Sequence, residues 1–124
     1  MGKTIFLVED DKNFQRFIVS ILSHSGFLVE TASNGRLALE VLRAQRFHPD
    51  LILCDINMPE MNGYETLRHI RADAQLANIP VIMLTSNGDS EDRAMARQLG
   101  ANGYVLKRLV FSTLISEISG YLGA

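Results

Sequence analysis

The chain has 124 residues, 47% of them hydrophobic, and 12 Lys+Arg against 14 Asp+Glu leave a formal net charge of −2. That length supports one domain, residues 1–124, with a core of its own, and the apolar content excludes a disordered segment. The charge balance offers no basic face for nucleic acid, the single cysteine excludes an internal disulfide and suits a reducing cytoplasm, and no apolar run nears the roughly 18 residues of a membrane helix.

In chain order, short strand-like runs alternate with helical stripes. Ile5–Val8 is apolar throughout and is followed at once by Glu9, Asp10 and Asp11. Phe14, Phe17, Ile18, Ile21 and Leu22 then recur at helical spacing, and Gly26 reads as a stop. Phe27–Val29 is the second strand, and Leu37, Ala38, Val41 and Leu42 mark the second helix. Leu51–Cys54 is the third strand, closed by Asp55, with Leu67 and Ile70 on the helix beyond it. Val81–Leu84 leads into Thr85 and Ser86, and a fourth helix spans Asp89 to Leu99, with Asp89 or Ser90 as N-cap and Gly100 past its end. Tyr104–Leu106 is the fifth strand, closed by Lys107, before a last helix carrying Leu114, Ile118 and Leu122. Short, unalternated strands are those of a parallel sheet covered on both faces, so five βα units predict an α/β, doubly wound five-stranded parallel sheet flanked by five helices.

Such sheets bind ligands beyond the carboxyl ends of their strands. Glu9, Asp10, Asp11, Asp55, Thr85 and Lys107 all follow strands, so the fold rule gathers acids, a hydroxyl and an ammonium at one edge. Carboxylates crowded together repel, and a hard divalent cation with oxygen ligands relieves them. Such a site can hold Mg2+ and offer one carboxylate to phosphorus. Cys54, next to Asp55 on a strand, points to the opposite face and reads as core. His24, His48 and His69 lack metal-ligand spacing and read as surface residues.

Four motifs, Val8–Asp11 (VEDD), Leu53–Gly63 (LCDINMPEMNG), Leu84–Ser86 (LTS) and Gly103–Lys107 (GYVLK), carry a resemblance that spans essentially the whole chain. In that order, at the ends of the expected strands, they resemble a bacterial two-component response-regulator receiver domain. The resemblance implies a flavodoxin-like strand order 2-1-3-4-5. It implies that Asp55 is the phospho-acceptor, that Glu9, Asp10, Asp55 and the backbone carbonyl of Asn57 hold Mg2+, and that Thr85 and Lys107 meet the phosphoryl group. It further implies that Tyr104 moves with Thr85 as a switch that reshapes the face of helix 4, strand 5 and helix 5, and that Pro59 and Gly63 form the turn after the site. Implied partners are a histidine kinase or phosphotransfer protein as donor and a downstream protein target. The chain is then a signalling protein that promotes its own phosphoryl transfer, and not a metabolic enzyme.

Blander readings exist for single residues. Acids after a strand often serve a helix N-terminus, and Asp11 fits that role in the first turn of helix 1. Three other functions compete for the same residues. An aspartyl-phosphate phosphatase carries a second acid two residues after its nucleophile, where this chain has Asn57. A flavodoxin-like cofactor binder needs a hydroxyl- and glycine-rich loop after strand 1, where this chain has three carboxylates. A pseudo-receiver, a protein-interaction module without phosphorylation, is disfavoured because every phospho-chemistry position is filled.

One segment departs from the family. Receivers usually follow the lysine with a cis-linked proline, an aromatic and a helix-capping residue, but Lys107 is followed by Arg108, Leu109 and Val110. A cis bond without proline costs about 2.5–4 kcal/mol, and Val110 has no hydroxyl for a cap. The expectation is a trans Lys107–Arg108 bond, a rebuilt loop into helix 5, and a less firmly held Lys107.

Overall fold

The structure is a computed structural model that describes residues 2–44, 48–86, 88 and 90–123. Its elements are β1 (Thr4–Val8), α1 (Lys12–His24), β2 (Leu28–Ala32), α2 (Gly35–Arg43), β3 (Leu51–Asp55), α3 (Gly63–Ala72), β4 (Val81–Thr85), α4 (Ser90–Gln98), β5 (Gly103–Leu106), a 3-10 turn at Lys107–Leu109, and α5 (Val110–Leu122). All four strand pairings are parallel and the order is β2-β1-β3-β4-β5. This is the doubly wound, flavodoxin-like arrangement.

Alternation along the strands splits the core in two. Phe6, Val8, Ile52, Cys54, Val81 and Met83 pack with Ala38, Leu42, Leu67, Ile70 and Ala96 of α2, α3 and α4. Ile5, Leu7, Leu51, Leu53, Ile82, Leu84 and Val105 pack with Ile18, Leu22, Val110, Leu114 and Ile118 of α1 and α5. The even and odd positions of each strand therefore face different helical layers, and the central strands β3 and β4 are buried along their whole lengths. Cys54 lies in the first layer, buried and unpaired.

The expected strand Phe27–Val29 is displaced. Phe27 is buried ahead of the strand, which runs from Leu28 through Glu30 and Thr31 to Ala32. β2 is an edge strand paired only with β1, so its outer side chains tolerate charge and its apolar pattern is thin. Gly26 ends the α1 region at φ 91, a conformation that favours glycine. Of the two N-caps considered for α4, Asp89 lies outside the described residues and Ser90 is the first residue of the helix.

No cis peptide bond occurs among the described residues, so Lys107–Arg108 is trans as local chemistry requires. The connection from β5 tightens into the 3-10 turn, and Leu109 precedes α5 without a side-chain cap. The hydroxyls of Ser112 and Thr113 donate to the Leu109 carbonyl, at 3.1 and 2.9 Å, and leave the first amides of α5 without a side-chain acceptor. Val110 turns fully inward as the first residue of α5. No described helix is long and apolar enough to cross a membrane.

Candidate functional site

The site is built at the carboxyl ends of β1, β3, β4 and β5. The Glu9 amide donates to the Ala32 carbonyl at 3.0 Å, which extends the β1–β2 ladder one residue and turns the Glu9 side chain inward, where it is fully buried. Glu9 Oε2 accepts from the Asp11 backbone amide at 3.1 Å, and the Gln15 side-chain Nε2 donates to the Glu9 carbonyl at 3.0 Å. Asp55 ends β3 with 2% exposure. The register sets Asp55 beside Leu84, so Thr85, also buried, reaches one residue further along the neighbouring strand. Thr85 in turn pairs with Leu106, which puts Lys107 just past the end of β5.

Lys107 reaches across this edge. Its Nζ lies 3.0 Å from Glu9 Oε1 and 3.2 Å from Asp55 Oδ1. The expectation of a loosely held lysine is therefore corrected: the bond after it is trans and the entry to α5 uncapped, but two buried carboxylates hold the ammonium. Sequence reasoning paired Lys107 with the phosphoryl group and missed Glu9 as its partner. No local signal could have shown it, because the two residues come from opposite ends of the chain. The ammonium also stands 4.7 Å over the centroid of the Phe14 ring.

One ammonium does not offset this much acid. Burial pushes the Glu9 carboxyl up from 4.5 to about 7; the Asp11 amide opposes the rise, the Asp55 charge adds to it, and Lys107 opposes it. Burial also raises Asp55, against the pull of Lys107 and with the push of Asp10. Lys107 is raised as well: burial alone would lower it, but Glu9 and Asp55 outweigh burial and hold it charged. The Cys54 thiol is raised by burial and by both acids, so it stays protonated and inert.

Glu9, Asp10 and Asp55 each offer a carboxylate oxygen, and these oxygens all lie within 4.8 Å of one another. Glu9 Oε1 and Asp55 Oδ1 are buried and face Lys107 without an aligned hydrogen bond. An all-oxygen, anionic donor set with orphaned lone pairs fits a hard divalent cation such as Mg2+. Asp10 is exposed, on the solvent side of the cluster. Asp11 does something else: its side chain caps α1 and accepts from the amides of Asn13 and Phe14 at 2.9 and 3.1 Å.

The loop after Asp55 brings the N-terminus of α3 against the site. A Cβ on Gly63 would stand 2.3 Å from the Asp55 carbonyl oxygen and 2.7 Å from the Ile56 Cα, so only glycine permits this approach. The Gly63 amide donates to the Ile56 carbonyl at 2.8 Å. Asn62 and Glu65 form a reciprocal capping box on α3, a device legible in the spacing of those two residues but not anticipated. Asn57 is exposed in this loop, whereas Met58 and Met61 pack into the first core layer. Glu60 takes a positive φ of 67 in the turn. Tyr104 lies half-buried on β5 opposite Met83, with the Arg93 guanidinium 4.9 Å above its ring.

The chain is similar to known proteins along nearly its whole length. A family model described as the response regulator receiver domain matches residues 5–119. The chain is 38% identical over 118 residues to a transcriptional regulatory protein, the CpxR homolog of Haemophilus influenzae, covering 95% of this chain and 49% of that one. It thus spans about half the length of that relative. It is 33% identical to the polar-differentiation response regulator DivK of Brucella ovis over 99% of this chain and 98% of DivK. Among solved structures, the receiver domain of a sensor histidine kinase from Pseudomonas aeruginosa, with a magnesium ion coordinated in its active-site cleft, superposes with a TM-score of 0.87 at 33% identity, covering 100% of both chains.

Proposed function

The chain belongs to the response-regulator receiver family of two-component signalling, and from that premise we propose that it is a cytoplasmic switch thrown by phosphorylation of Asp55. The observation that carries this reading is the convergence of Asp55 and Glu9 within 3.2 Å of the Lys107 ammonium, with Asp10 beside them. Asp55 attacks phosphorus in a phosphohistidine of a partner kinase or phosphotransfer protein. A bond forms from an Asp55 carboxylate oxygen to phosphorus, the phosphorus–nitrogen bond breaks, and the imidazole leaves with the electron pair. Lys107 neutralises a phosphoryl oxygen from its side of the site, and Thr85 donates its hydroxyl to another. Glu9, Asp10, Asp55 and the Asn57 carbonyl would hold Mg2+. When bound, that ion supplies positive charge opposite Lys107 and lowers the repulsion between the incoming phosphoryl group and the acids.

Phosphorylation adds about −1.5 to −2 of charge. That charge draws Thr85 inward and frees room for Tyr104, which alters the α4–β5–α5 face read by a downstream target. Like other receivers, the chain is a signalling protein and not a classical enzyme. The test is intact mass after incubation with acetyl phosphate and Mg2+. One phosphoryl group should add to the wild type and none to Asp55→Ala; undiminished labelling of that variant would remove the assignment.

A further inference from the structure

We propose that Phe14 is a positioning residue for phosphoryl transfer, acting through Lys107; this rests on the reading of Asp55 as phospho-acceptor. The two acids fix the ammonium's distance from the site, and a third contact restricts its direction. Lys107 is a point charge on a flexible four-carbon stem. It is followed by a trans bond to Arg108 and a 3-10 turn that enters α5 without a side-chain cap. The backbone after the lysine therefore does little to aim it.

The ring of Phe14 supplies the aim. It lies under Nζ, with its centroid 4.7 Å away, so its negative face holds the cation while Glu9 and Asp55 hold it at 3.0 and 3.2 Å. Phe14 is itself fixed. Its amide donates to the capping Asp11, its side chain packs against the α1–α5 core layer, and the Phe17 ring lies 6.2 Å away. The third acid after β1 thus has a use remote from metal binding: it anchors the turn that places the ring. A phosphoryl group arriving at Asp55 then meets a cation already in place, with little reorganisation left to do. An aliphatic side chain of similar size would fill the space but offer no negative face.

Phe14→Leu and Phe14→Tyr, each in the full chain with and without Lys107→Met, separate this from a packing role. Labelling by acetyl phosphate at saturating Mg2+ should slow about 2- to 30-fold in Phe14→Leu and stay near wild type in Phe14→Tyr. Phe14→Leu should add nothing further once Lys107 is Met. Independently of any labelling, the ring should shift the Lys107 ε-methylene proton resonances upfield in the wild type and in Phe14→Tyr, and that shift should vanish in Phe14→Leu. Equal slowing by Leu and Tyr, full additivity with Lys107→Met, or absence of the upfield shift would each overturn the proposal. A wild type that takes up no phosphoryl group would overturn the Asp55 reading, while the presence or absence of the methylene shift still decides whether Phe14 holds Lys107.

Discussion

Glu9→Gln should make the metal-free protein more stable at alkaline pH, although it removes a charge from the site. The reason is the burial of Glu9, whose carboxyl is pushed up from 4.5 to about 7. Between those values the folded protein keeps a proton that the unfolded chain has released, so this group makes metal-free stability fall as pH rises from 4.5 through 7. Lys107 is charged across that window and adds no slope. At about 1.4 kcal/mol per pH unit, the cost of the buried charge is about 3 kcal/mol at pH 8 and about 1 kcal/mol at pH 5. Glutamine keeps an oxygen for the Asp11 amide and carries no charge to bury. Urea unfolding of wild type and variant without metal, at pH 5, 6, 7 and 8, measures the difference directly. The variant's advantage should grow with pH toward about 3 kcal/mol, and Mg2+ should stabilise the wild type far more than the variant. A variant less stable than wild type at pH 8, or a difference that does not change with pH, would refute the reasoning.

Asp10→Asn should weaken Mg2+ binding at least about 10-fold, the loss that even an outer-shell partner's removal brings. Asp11→Asn should bind nearly as well and show little change in stability, because asparagine also caps; titration of both with Mg2+ distinguishes them. Gly63→Ala should destabilise by about 1–3 kcal/mol and slow Asp55 labelling, since its Cβ would collide with the Asp55 carbonyl at 2.3 Å; thermal unfolding and the mass assay read the two effects. Arg93→Ala removes the cation over the half-buried Tyr104 ring. That contact is worth about 0.5–1 kcal/mol, so the balance of Tyr104 ring positions should shift about 2- to 5-fold, visible in the ring resonances with and without phosphorylation.

Local pattern determined most of the architecture. Runs such as Ile5–Val8 and Val81–Leu84 cannot be exposed and are too short for helices, so they become buried strands, and the helical stripes between them dictate crossovers and a parallel sheet. The trans Lys107–Arg108 bond also followed from the chain itself, because peptide isomerism without proline is a local energy. The edge strand β2 was read short, since an edge residue such as Glu30 or Thr31 obeys solvent and not a core. What only the tertiary structure decided was who meets whom at the strand ends. The hold on Lys107 was expected to loosen with its loop, yet Glu9 past β1, Asp55 on β3 and Phe14 on α1 fix the ammonium from elsewhere in the chain. Arg71 is a second case: its guanidinium donates to the carbonyls of Ala77, Ile79 and Gly100 and to Asn102 Oδ1, tying α3 to two loops. Such contacts depend on distances between elements remote in sequence, set by how the two core layers pack. A periodic pattern records which face of each element is buried and carries no information about those distances.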